Sequence, residues 1–157
     1  MAECDSPEYR ESGSIKRGIC MKLYNFGTFQ AQINMDATRD WYGQSAEWGC
    51  TCGHCRNFVQ LAKENALPAY IMELLKELGI PPEKATYVCE LYTDDEGIHY
   101  QFSYRLAGTF EEISNNTGKQ LAYRCCHETY PYGAPGFPEP HFDLEFYAVL
   151  PWVTEEL

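Results

Sequence analysis

The sequence has no long hydrophobic run. Its apolar stretches are short and broken by Glu, Lys or Pro, so nothing approaches the roughly 20 apolar residues that a membrane span requires. The first 20 residues lack the apolar stretch of a secretory leader, and cytoplasmic residence is the expectation. Positive charge is scarce as well: 12 Lys and Arg face 23 Asp and Glu, for a formal net charge of -11. Nucleic-acid binding needs clustered Lys and Arg, and the few here, such as Lys16, Arg17 and Lys22, make a poor match for a phosphate backbone. Residues 139–157 carry five acidic residues and neither Lys nor Arg. Nucleic acid and membrane are therefore set aside as partners, leaving a protein partner or a homo-oligomer. Also missing are GxSxG, a P-loop, HExxH and a Gly-rich dinucleotide fingerprint, and no internal repeat is visible. Asp94, Asp95 and Glu96 lack the spacing of a calcium loop. No catalytic residue is assigned, and an enzyme is the less favoured class.

What is present is an ordinary globular composition, 45% hydrophobic and 22% charged, in a 157-residue chain long enough for one apolar core. Aromatics reach 15%, which favours pleated sheets and broad buried faces. Residues 1–20 form a polar extension with seven charged residues and three Ser, and Met21 would serve equally as a translation start. Residues 21–157 are expected to form a single α+β domain.

Within that domain Phe29, Ala31 and Ile33 alternate with Gln30, Gln32 and Asn34, the pattern of a half-buried strand. A polar, aromatic-dotted segment runs from Asp36 to Trp48. A short helix is predicted from about Arg56 to Glu64. A second starts at Pro68, places Ile71, Leu74, Leu75 and Leu78 at helical spacing, and stops at Gly79. Strands are predicted over residues 87–92 and 98–106, joined by a hairpin at 93–97. His99 and Arg105 fall on the wet face of the second of these. Leu121, Tyr123 and Cys125 mark another strand, and Phe142, Leu144 and Phe146 the last, with Asp143 and Glu145 facing out. Four prolines and two glycines in residues 130–140 forbid regular structure there. The predicted fold is a mainly antiparallel sheet with two short helices inserted after a cysteine cluster.

That cluster is Cys50, Cys52 and Cys55, drawn from eight cysteines. Without a secretion signal, such a count points to metal, redox chemistry or plain buried thiols rather than disulfides. Gly49 and Gly53 permit the turn that would bring three thiols together, and Cys52 and Cys55 have the spacing of a zinc knuckle. A closed structural zinc site needs a fourth ligand. His54, Cys89, Cys125, Cys126 and His127 are the choices. Cys125 and Cys126 point to opposite faces of their strand, and Cys125 lies with the apolar set, which leaves Cys126 or His127. The predicted metal set is Cys50, Cys52, Cys55 and Cys126, with zinc in a structural role. The alternative is a thiol-dependent redox enzyme: Cys52-Gly53-His54-Cys55 matches the disulfide-isomerase tetrapeptide, and a helix start lowers a thiol pKa. The polar stretch before it is unlike the apolar strand of a thioredoxin-type fold. Unligated thiols that only pack are the third possibility.

The run Trp48-Gly49-Cys50-Thr51-Cys52-Gly53-His54-Cys55-Arg56-Asn57-Phe58 resembles the W-x-C-x-C-x-x-C-R-N-F motif of a family of small uncharacterised bacterial proteins. Leu67-Pro68 at a helix start, Leu78-Gly79-Ile80 at its end, an aromatic strand closing on Gly108, and Pro151-Trp152 are similar too. The resemblance spans about residues 21–152 and implies kinship, not mechanism.

Overall fold

A computed structural model describes residues 8–11, 14–17, 21–113, 123–128 and 130–154. The fold is α+β. Strands β3 (Met21–Phe26), β4 (Phe29–Asn34), β5 (Tyr87–Asp94), β6 (Gly97–Glu112), β7 (Tyr123–Cys126) and β8 (His141–Leu150) make one antiparallel sheet of order β3-β4-β6-β8-β7, with β5 also paired to β6. Helices α1 (Met35–Gln44), α2 (Gly53–Lys63) and α3 (Ala69–Leu78) complete it, with a 3-10 turn at Pro82–Lys84. Of the N-terminal extension, β1 (Glu8–Glu11) and β2 (Ser14–Arg17) pair with each other. The rest of it, and Leu121, lie outside the described residues. No helix among the described residues is long and apolar enough to cross a membrane.

The long strand β6 organises the sheet. One edge pairs with β8 from Ile98 to Ala107. The other edge takes two partners in succession, β5 up to Ser103 and β4 from Gly108 onward. At Gly108 the chains come so close that a Cβ would lie 1.9 Å from the Gln32 carbonyl oxygen, so only glycine fits. Between the two partners the edge of β6 would be bare, and α1 fills the gap. The Tyr42 hydroxyl donates to the Arg105 carbonyl at 2.8 Å, and the Ala107 N–H donates to Thr38 Oγ1 at 3.0 Å. Thr38 in turn donates to the Asn34 carbonyl, and the Asn34 side chain caps the helix by accepting from the Ala37 N–H.

The even-numbered face of β6, Tyr100, Phe102, Tyr104 and Leu106, is fully buried, and Phe58 of α2 packs on Tyr100 and Phe102. The other face departs from the sequence expectation. Arg105, Asp143, Glu145 and His99 are all buried rather than solvated. Arg105 and Asp143 sit directly opposite across β6 and β8 and form an ion pair at 2.7 Å. Arg105 also donates to the carbonyl of Tyr130, at the start of the proline-rich segment 130–140. Glu145 meets Arg124 of β7 at 2.9 Å.

Candidate metal centre at the start of helix α2

The functional candidate is built where the chain enters α2. Cys52 takes the N-cap position that Ser or Asp usually fills, and its sulfur accepts from the Cys55 N–H at 3.5 Å. Helix-start amides therefore face this thiol, and the bond from Cys55 N–H holds its pKa below the ordinary cysteine range. Cys55 stands three residues on, inside the protein, and burial pushes its thiol up to about 12. Cys50 reaches the same point from the extended residues before the cap. The three sulfur atoms lie within 4.8 Å of one another, and Cys50 and Cys52 are exposed.

Other residues of the motif hold this corner in place. The Trp48 backbone N–H donates to the Glu83 carbonyl at 2.9 Å. The Trp48 indole N–H is buried without a formed hydrogen bond, and the acceptor beside it is the sulfur of Cys55, whose thiolate form it favours. An indole nitrogen only donates, and a neutral thiol is a weak acceptor; a thiolate would satisfy it. Asn57, fully buried, donates to the Pro151 carbonyl at 2.9 Å and accepts from the N–H groups of Val153 and Thr154. It thereby fastens residues 151–154 across the head of α2. Trp152 then lies edge-on to His54, and so near Gly53 that a Cβ there would sit 3.3 Å from its ring.

Cys126, the predicted fourth ligand, does not join the three. It lies on β7, two strands from β6 and so about 10 Å across the sheet. It also faces the side away from α2, its sulfur 3.9 Å from Glu145 Oε2. The alternation along the strand placed Cys125 in the core, as observed, but strand order was not readable from it. Among the described residues no other His, Cys, Asp or Glu joins the set.

Asp94, Glu96 and His99 form a second convergent set at the β5–β6 turn. Its His99 is already engaged on both ring nitrogens, by Asp94 Oδ2 at 2.9 Å and by the Tyr147 hydroxyl, with Tyr92 stacked on the ring at 4.1 Å. This arrangement locks the hairpin.

Compared with known proteins, the chain matches no family model, no curated protein and no solved structure.

Proposed function

We propose that Cys50, Cys52 and Cys55 hold one zinc ion and that the protein is a small binding or structural module stabilised by it. The observation that carries this is the mutual approach of the three sulfurs. Zinc–sulfur bonds of about 2.3 Å in a tetrahedral site require sulfurs near 4 Å apart, a spacing the 4.8 Å bound admits. Two features support thiolates at this point: the amides of the α2 start, and the first turn of α2, which contains no acidic residue to compete for them. The buried Cys55 would not ionise unaided, and a divalent cation supplies the missing stabilisation. Metal analysis of the full chain purified without chelator should give one zinc per molecule, lost from Cys52→Ser. Protein free of metal with all three thiols reduced would sink the proposal.

A second reading, thiol–disulfide exchange, draws support from the unequal acidity of Cys52 and Cys55. Cys52 thiolate would attack a partner disulfide and release one thiol. Cys55, losing its proton, would then displace the second and leave a Cys52–Cys55 disulfide. In this case Cys52→Ser abolishes exchange, Cys50→Ser does not, and neither change alters metal content. Against it stands the run-in to the motif, which is the irregular stretch after α1 rather than a strand.

A further inference from the structure

A cavity of about 520 Å³ opens beside the cluster, lined by Cys50 and Trp48 on one side and by Arg56, Gln60 and Lys63 of α2 on the other. Its size suits a small molecule. Resting on the zinc reading above, we propose that the ion's fourth position opens toward this cavity and takes a small thiol bearing a carboxylate.

Three observations lead there. The described residues supply three sulfur ligands and no fourth, while structural zinc is four-coordinate. The burial is one-sided: Cys55 lies inside, whereas Cys50 and Cys52 are exposed and Cys50 lines the cavity. The cationic groups of the wall are not equivalent, since Lys63 is held by Glu47 at 2.8 Å, whereas Arg56 has no carboxylate partner among the described residues.

The chemistry selects the ligand class. Three thiolates on a divalent ion make a soft, anionic centre, for which sulfur is a better-matched donor than a hard oxygen anion. On binding, a metal–sulfur bond replaces a metal–water bond, and the thiol proton passes to solvent. Arg56, one turn into α2, presents the planar fork that binds a carboxylate through two parallel hydrogen bonds.

The test uses the full chain with cobalt(II) in place of zinc, titrated with 3-mercaptopropionate and, separately, with ethanethiol. Capture should raise the sulfur-to-cobalt charge-transfer band by roughly one-third as coordination goes from three sulfurs to four. Mercaptopropionate should bind more tightly than ethanethiol, and Arg56→Ala should erase that advantage, a loss of roughly tenfold. A cobalt spectrum already showing four protein ligands, one unmoved by either thiol, removal of cobalt by the thiol, or equal affinity for both thiols would each overturn this inference and leave the zinc reading standing. Failure to bind one cobalt with thiolate charge transfer would overturn both.

Discussion

Cys52 and Cys55 differ in acidity although three residues apart, because one caps a helix in solvent and the other is folded under it. That asymmetry gives the metal-free protein a definite pH response. An unfolded cysteine ionises near pH 8.5, whereas folded Cys55 keeps its proton to about 12. Between those limits the unfolded chain binds fewer protons than the folded one, so stability falls as pH rises. Chelator-treated protein should melt at progressively lower temperature from pH 8 to pH 10, and Cys55→Ala should flatten that decline. Buried Cys125 and half-buried Cys126 shift the same way and contribute to the slope that remains. Zinc-loaded protein should behave oppositely, losing metal as acid protonates the ligands. Cys52→Ser should lower zinc content and melting temperature together, with chelator reproducing the effect on wild type. Because Cys52 is exposed, the same change in a protein holding no metal should shift stability by only about 0.5 kcal/mol. His54→Ala should leave zinc content at its wild-type level in the same assay, because that ring faces Trp152.

Helix α1 has an unusual task among the elements, since two of its side chains complete a strand edge. Thr38→Val and Tyr42→Phe preserve shape but strand the Ala107 N–H and the Arg105 carbonyl in the interior. Each should cost about 1–3 kcal/mol in urea denaturation, a much larger effect than either change on an exposed surface. This helix was also the one hidden in the sequence. Its buried positions are Met35, Thr38 and Tyr42, so the inward stripe contains two polar-tipped side chains, and apolar periodicity passes over them. Asn34 before Asp36 was the usable sign, a cap followed by an acid in the first turn. In α3, by contrast, Ile71, Leu75 and Leu78 are all buried and Gly79 ends the helix, so pattern and structure coincide. Strand β8 misled in its own way. Asp143 and Glu145 alternate with Phe142, Leu144 and Phe146 as a solvated face would, but a local pattern cannot reveal their partners, Arg105 on β6 and Arg124 on β7. The CxCxxC run was legible because its three ligands are local. Cys126 lies apart from them on β7, and strand order, a property of the whole sheet, is not written in any local pattern.

For the molecule as a whole, charge makes the plainest forecast. With a net charge of -11 and its buried Arg105 neutralised by Asp143, the protein should show no appreciable binding to duplex DNA at physiological salt. A submicromolar, salt-sensitive mobility shift would contradict that. The placement of the indoles has a different consequence. Of the three tryptophans, Trp41 is tied to the Pro135 carbonyl, while Trp48 lies against Cys55 and Trp152 over the head of α2. Two of the three chromophores therefore flank one small patch of sulfur chemistry. Sulfur close to an excited indole quenches its emission, so the unlabelled protein carries its own optical gauge of that patch, readable in a cuvette by excitation of tryptophan alone.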